Sequence, residues 1–180
     1  VELTKEHPAV QAIYEIIEKH GGEKGIIHCS NYKLFNQLRK VFGRNSRFLW
    51  VDKGADKNVF IDKHSKSSAG TILVSPSMME GVDLKGDLAR FQIMIKVPFP
   101  MLDDYMKKLM GLYSGYYESE VAMNIMQAYG RAIRSEDDHA SFYILDGAIM
   151  RLLRNKHWFS KYFTESVIVG TLKDFMKNKG

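Results

Sequence analysis

Cysteine is nearly absent from this sequence of 180 residues, and its scarcity excludes several kinds of site. Cys29 is the single cysteine, so the chain forms no internal disulfide and no zinc or iron–sulfur centre built from several cysteines. Chains without disulfides are typical of reducing compartments, and we therefore expect a cytoplasmic protein. Long apolar runs are missing too. No run approaches the roughly 18 residues that span a bilayer, and "VELTKEHPAV" lacks a signal-peptide pattern, so we expect no membrane partner.

Acidic residues are in the minority. The sequence has 26 Lys and Arg against 21 Asp and Glu, which gives a net charge of +5 with neutral histidines. A basic surplus of this size favours polyanionic partners such as nucleic acid, although an ordinary soluble surface explains it equally well. A chain of 180 residues with 45% apolar residues is typical of one globular unit, so we expect residues 1–180 to form a single domain.

Short apolar segments alternate with amphipathic segments along the chain. Strands are predicted at Gly25–Cys29, Arg47–Val51, Thr71–Ser75, Arg90–Val97 and Ser141–Leu145. Helices are predicted at Pro8–His20, Asn31–Phe42 with Ser30 as N-cap, Asp56–His64 and Met101–Leu112. A further helix, with Ser119 as its candidate cap, is predicted for the segment that contains Asn124–Asp138. This alternation predicts an α/β fold in layers around a mostly parallel sheet. In such sheets, ligands gather at the carboxyl ends of the strands.

One predicted helix carries Gln127, Arg131 and Arg134 on a single flank. At 100° per residue the three side chains fall within about 60° of one another. Gly130 lies beside them at a cost of roughly 1 kcal/mol in a helix interior, and its missing side chain would let another surface or a ligand come close. Two guanidinium groups one turn apart repel each other unless an anion lies between them, so the pattern indicates a phosphate clamp. A solvated polar face is the alternative.

The segment from Gln127 to Arg134 has the pattern Q-x-x-G-R-x-x-R and resembles motif VI of superfamily 2 helicases. The resemblance implies the second lobe of a helicase, with a three-layer RecA-like (P-loop NTPase-like) fold. It implies that Arg131 is the arginine finger and that Arg134 is a second phosphate-facing arginine. Gln127 would contact the γ-phosphate or the attacking water. Arginine fingers stabilise the charge that develops on the γ-phosphoryl group during hydrolysis.

The segment "VSPSMMEGVDLKGDLARFQIMIKVPFP" is similar to motif V in the XPD/DinG (Rad3-like) branch of these helicases. Its form is more typical of prokaryotic members. The residues that match are Glu80, Gly81, Asp83, Gly86, Pro98 and Phe99. Asp83 can orient an arginine or a ribose hydroxyl, so we predict that Glu80, Gly81 and Asp83 lie with Gly130 at the nucleotide. A surface turn is the alternative for this motif taken alone.

A third segment, "GIIHCSNYKLFNQL", is similar to motif IV, in which a strand delivers a hydroxyl residue to the start of a helix. Ser30 and Asn31, with the first free N–H groups of that helix, can seat a phosphate, although a plain N-cap explains them as well. We predict contacts with single-stranded DNA at residues in strand-end loops: Ser30, Asn31, Lys33, Ser75, Ser77 and Lys85. Tyr116, Tyr117 and Trp50 are candidates for stacking on bases.

Neither G-x-x-x-x-G-K-[ST] nor D-E-x-H/D occurs in the chain, so it lacks a phosphate-cradling loop and a magnesium-binding acidic pair. The resemblance implies that both lie on an N-terminal lobe upstream of Val1, which would bind ATP and Mg²⁺ and which can hold an iron–sulfur cluster. We therefore predict the second motor lobe of an ATP-dependent DNA helicase, inactive when isolated. One alternative is a stand-alone nucleic-acid-binding RecA-like module without ATPase activity. A small α/β enzyme is disfavoured, because no Gly-rich loop follows the first strand.

Overall fold

The computed structural model describes residues 2–76, 84, 86–131 and 139–177. Its strands are β1 Gly25–His28, β2 Phe48–Trp50, β3 Ile72–Ser75, β4 Phe91–Met94 and β5 Ser141–Ile144. Its helices are α1 Pro8–Lys19, α2 Tyr32–Phe42, α3 Lys57–Lys66, α4 Asp104–Leu112, α5 Tyr116–Tyr129, α6 Ile149–Leu152, α7 Lys161–Ser166 and α8 Leu172–Lys177. Short 3₁₀ turns lie at Gly86–Ala89 and Lys156–Trp158. All the predicted strands are confirmed, but each is shorter than predicted, and β4 ends at Met94 instead of Val97. None of these described helices is long and apolar enough to cross a membrane.

The strands of the described residues form one sheet in the order β2-β3-β1-β4-β5, and every neighbouring pair is parallel. All carboxyl ends therefore lie at one side of the sheet, which we call the carboxyl edge. The opposite side, where the strands begin, is the amino edge. From β1 the chain continues through α2 towards β2, whereas from β4 it continues towards β5 at the other end of the sheet. The connections diverge between β1 and β4, and such a switch point opens a crevice for ligands.

Helices cover both faces of the sheet because side chains alternate along each strand. Ile93 of β4 points to the face covered by α1 and α2, where Ile13 and Leu38 belong to the same apolar cluster. The next residue, Met94, points to the opposite face and packs with Val121 of α5. The predicted layered α/β arrangement around a parallel sheet is therefore confirmed.

Two predicted helix boundaries are wrong at the candidate site. The N-cap of α2 is Asn31 and not Ser30, because the Asn31 side chain accepts a hydrogen bond from the Leu34 amide at 2.9 Å. The later helix, α5, begins after Gly115, whose φ is 76°, and ends at Tyr129 with Gly130 as its C-cap. Glycine is a poor helix former and commonly ends helices.

The early end of α5 corrects the prediction that one helical flank carries the whole polar row. Gln127 lies on α5, but Arg131 lies in the turn after it. Arg134 lies outside the described residues.

Candidate functional site

Arg131 lies beside the carboxyl end of β1. Its backbone N–H donates to the Ala128 carbonyl at 3.1 Å, so the chain turns directly after α5. The side chain is half-buried, and its Nε atom is fully buried. The charge of Arg131 is one cause of a lowered pKa at His28, the last residue of β1. The guanidinium group therefore lies close to the crevice between β1 and β4.

Polar side chains in the core connect β1 and β4 to the end of α5. His28 is 3% exposed and Gln92 is fully buried. The His28 Nε2 atom lies 2.8 Å from Gln92 Oε1, and Gln92 Nε2 donates to the Tyr129 carbonyl at 3.4 Å. Burial lowers the pKa of His28 to about 4, and the charge of Arg131 adds to this effect, against the Gln92 hydrogen bond. The imidazole is therefore neutral at pH 7. We call His28, Gln92 and the Tyr129 carbonyl the buried relay.

Sequence reasoning did not find the buried relay. Neither His28 nor Gln92 is among the residues that the sequence predicts for the site. The available signal was a glutamine inside "RFQIMIKV", a predicted strand that is otherwise apolar between Phe91 and Ile95. Amides are seldom buried unless they are hydrogen-bonded, so such a residue predicts a specific partner.

Gln127 and Gly130 face outward next to this network. The Gln127 side chain is exposed, near the end of α5. Gly130 has an ordinary φ of −68°, and a Cβ atom there would meet Met126 O at 3.4 Å as its nearest neighbour. Neither backbone conformation nor crowding within the described residues therefore requires glycine. The approach of a ligand at Gly130 stays a prediction.

The loop after β1 exposes polar groups at the carboxyl edge. Ser30, Asn31 and Lys33 are all exposed. Asn31 is partly committed to its own chain, because its Oδ1 caps α2 and its Nδ2 donates to Ser30 Oγ at 3.3 Å. The amine of Lys33 and the hydroxyl of Ser30 remain at the surface. Ser75 is different: its side chain is 1% exposed, so it does not reach the surface on which a strand of DNA would lie.

Six of the predicted site residues lie outside the described residues: Arg134, Glu80, Gly81, Asp83, Ser77 and Lys85. Gly86, from the same motif, is described and has a φ of 58°. This left-handed conformation favours glycine at this position.

Two aromatic rings predicted to stack on bases are packed within the chain. Trp50 stacks on Phe48 with ring centroids 5.4 Å apart. Tyr117 stacks on Phe99 at 5.8 Å, and its hydroxyl donates to the Pro100 carbonyl at 3.0 Å. These contacts give both rings a role in packing and leave no structural support for base stacking by them.

The sequence model of the family described as Helicase C-terminal domain matches residues 13–166. The chain belongs to this family. The helicase C-terminal domain is 29% identical over 161 residues to the ATP-dependent DNA helicase DinG of Photobacterium profundum. It is 23% identical over 150 residues to the ATP-dependent DNA helicase YoaA of Haemophilus influenzae. Each match covers 78% of this chain but only 22% and 23% of the respective relative, so the chain spans less than a quarter of their length.

Solved structures confirm the RecA-like fold of the helicase C-terminal domain. A structure titled XPD_Helicase superposes with a TM-score of 0.62 at 19% identity, covering 88% of this chain and 30% of that one. The C-terminal domain of the DEAD-box protein Dbp5 superposes with a TM-score of 0.54 at 13% identity, covering 87% of this chain and 81% of that one. The predicted XPD/DinG-type C-terminal lobe is thereby confirmed by the family and the curated relatives, and its three-layer fold by these structures.

Proposed function

We propose that the full protein is an ATP-dependent DNA helicase or translocase and that this chain is its second motor lobe. Family membership supports this, as do two relatives that are named ATP-dependent DNA helicases. The proposal places the missing P-loop and D-E-x-H/D motifs on a separate N-terminal lobe. ATP then binds between the lobes, and each lobe supplies part of the catalytic machinery.

The observation that carries this proposal is the position of Arg131. Its charge lowers the pKa of His28, the last residue of β1, which lies beside the crevice where the strand order reverses. In the proposed cycle Arg131 and Arg134 meet the charge that develops on the γ-phosphoryl group. Gln127 contacts the γ-phosphate or the attacking water, and Gly130 allows the phosphates to approach.

The remaining predicted nucleotide contacts are Glu80, Gly81 and Asp83 of the motif V loop. Mg²⁺ would contribute further positive charge at the phosphates. The described residues contain no group of three His, Cys, Asp or Glu side chains that fits a metal ion, so we assign Mg²⁺ no ligands among them and derive no step through it. An iron–sulfur cluster on the N-terminal lobe stays a prediction.

Single-stranded DNA is the proposed partner of the exposed loop after β1. Ser30, Asn31 and Lys33 present two polar side chains and one cation at the carboxyl edge. Closure of the two lobes on ATP and their opening after hydrolysis would change these contacts. A difference in binding between two states is what converts hydrolysis into movement along a strand.

The decisive experiment is Arg131→Ala in the full-length protein. We expect kcat for DNA-stimulated ATP hydrolysis to fall on the order of 10³-fold, as for other arginine fingers, while binding of single-stranded DNA persists. Arg44→Ala is the matched control, because Arg44 is exposed and follows the end of α2 at the amino edge. Its kcat should stay within about twofold of the wild type.

Three results would reject the proposal. The first is hydrolysis at the wild-type rate by Arg131→Ala, and the second is loss of DNA binding while hydrolysis persists, because Arg131 would then serve another ligand. The third is rapid ATP turnover by the isolated 180-residue chain, because the site would then not be divided between two lobes. If the full-length protein binds DNA without hydrolysing ATP, it is the nucleic-acid-binding module considered above.

A further inference from the structure

We propose that Gln92 and His28 are positioning residues that hold Arg131 in place for catalysis. The inference rests on the proposed function, since it concerns how the predicted arginine finger is oriented. The buried relay carries it: the side chains of β1 and β4 reach through the core to the residue from which the chain turns towards Arg131.

The first step concerns the end of α5. The last carbonyl groups of a helix have no partner within the helix and need one elsewhere. Gly130 N–H bonds to the Met126 carbonyl, and Arg131 N–H bonds to the Ala128 carbonyl. Tyr129 is only 9% exposed, so water has little access to its surroundings. The Gln92 side-chain amide donates to the Tyr129 carbonyl and thereby attaches the end of α5 to the middle of the sheet.

The second step concerns the orientation of the Gln92 amide. Its nitrogen must face the Tyr129 carbonyl, because only the nitrogen can donate. Its oxygen therefore faces His28, whose Nε2 must carry the hydrogen of the 2.8 Å contact. A neutral imidazole with this tautomer keeps the amide from rotating. It also places no second positive charge beside the Arg131 guanidinium.

The third step is the cost of the arrangement. Phe91, Ile93 and Met94 show that apolar residues suit β4, and each of them is almost completely buried. A buried amide that loses a partner destabilises the fold, so a glutamine here is harder to accommodate than another apolar residue. In return, it fixes the backbone next to Arg131. Displacing a catalytic group by about 1 Å can lower the rate by about 10²-fold, so such fixation is catalytically valuable.

The test is Gln92→Met in the full-length protein, which removes both hydrogen bonds with little change in volume. We expect kcat for ATP hydrolysis to fall roughly 10-fold to 100-fold, with the KM for ATP changed by less than about threefold. Thr71→Val is the matched control. It removes the buried 2.7 Å hydrogen bond between Thr71 and His64 at the amino edge, and kcat should stay within about twofold. Equal losses in the two variants would show that Gln92 only supports the fold and would overturn the inference.

Combining substitutions separates positioning from a general loss of structure. In an Arg131→Ala background, Gln92→Met should lower kcat by less than about twofold, because Gln92 acts through Arg131. A full further loss would overturn the inference. If Gln92→Met does not fold, His28→Leu and His28→Gln decide the question. Glutamine retains a donor towards Gln92 and should preserve more of kcat than leucine, whereas equal values would contradict the relay.

A measurement without ATP checks the geometry. Histidine-selective ¹³C labelling of the full-length protein reports the pKa of His28 by NMR. Arg131→Ala should raise that pKa, because the arginine charge lowers it. The rise should be smaller in a Gln92→Met background, since Gln92 no longer fixes the position of Arg131 relative to His28. An equal rise in both backgrounds would overturn the inference. Wild-type hydrolysis by Arg131→Ala would instead reject the proposed function, so the two failures are distinguishable.

Discussion

The two edges of the sheet each contain a buried histidine, and the two rings differ in how completely they are bonded. At the amino edge, His64 Nε2 donates to the Leu88 carbonyl at 2.7 Å, and its Nδ1 accepts from the Thr71 hydroxyl at 2.7 Å. At the carboxyl edge, His28 bonds to Gln92 through Nε2, while its Nδ1 has no hydrogen-bond partner among the described residues. The same residue type is therefore fully satisfied at one edge and half-satisfied at the other.

From the surroundings of the two histidines we infer a structural role for His64 and a role in the site for His28. His64 joins α3 to the residue before β3 and to the 3₁₀ turn before β4, and needs nothing from outside. His28 lies next to Arg131, at the edge where ligands of parallel sheets bind. We expect substitutions at His64 to affect mainly stability and those at His28 to affect mainly catalysis.

The largest difference in stability should come from replacing each ring by leucine in the 180-residue chain. His64→Leu leaves the Leu88 carbonyl and the Thr71 hydroxyl without their partner, so the free energy of unfolding should fall by about 3 kcal/mol. His28→Leu removes one hydrogen bond, and we expect a loss of about 1–2 kcal/mol. Urea unfolding at pH 7.5 measures both. A greater loss for His28→Leu would reverse the assignment of roles.

The pH dependence of stability sharpens the same comparison. Burial is the main cause that lowers the pKa of both rings, and it brings His28 from 6.5 to about 4. Below pH 6.5 the unfolded chain therefore binds a proton that the folded chain excludes. The stability that each neutral ring contributes is present above pH 6.5 and is lost as the pH falls towards the folded-state pKa.

For His28 this loss amounts to about 2 kcal/mol between pH 7.5 and pH 5. The check is urea unfolding of the wild type and of His28→Gln, which keeps a donor but does not titrate in this range. Between pH 7.5 and pH 5, His28→Gln should lose about 2 kcal/mol less stability than the wild type. An unchanged slope would mean that the pKa of His28 is the same in the folded and the unfolded chain.

The layered fold could be predicted from the sequence because local patterns determine it. Each strand is a short apolar run, and each is found where the run predicts it, as for Gly25–His28 and Ser141–Ile144. The strand order could not be predicted in this way. The hydrogen bond between His28 and Gln92 joins residues 64 positions apart, and it exists because β1 and β4 are neighbours in the sheet.

At the candidate site, residue identity alone carries the prediction for the cation at Arg131 beside Gly130, and its role stays a prediction. The end of α5 was not predictable, because the helical spacing of polar residues continues past Tyr129. Two features outside that pattern mark the observed end: a glycine at the C-cap and a buried amide that binds the last helical carbonyl. Tertiary contacts of this kind routinely override local propensity.

The smallest effect we predict is a difference in DNA binding between variants at the two ends of α2, one at each edge of the sheet. Lys33 and Lys40 are both exposed on α2, the former in its first turn at the carboxyl edge and the latter in its last turn at the amino edge. If single-stranded DNA lies along the carboxyl edge, Lys33→Ala should weaken its binding a few-fold and reduce the salt slope by about 0.7, the value for one phosphate contact. Lys40→Ala should change neither.

Titration of full-length protein with a fluorescent oligonucleotide at several salt concentrations measures both quantities. Equal losses for Lys33→Ala and Lys40→Ala would indicate diffuse attraction by the net positive charge, because an exposed cation at either end of α2 contributes alike to a long-range field. A loss confined to Lys33→Ala would instead require a phosphate close to the start of α2. Only that second result places the DNA strand on the same side of the sheet as Arg131. In the proposed cycle, movement of one lobe would there change the contacts with DNA and with ATP together.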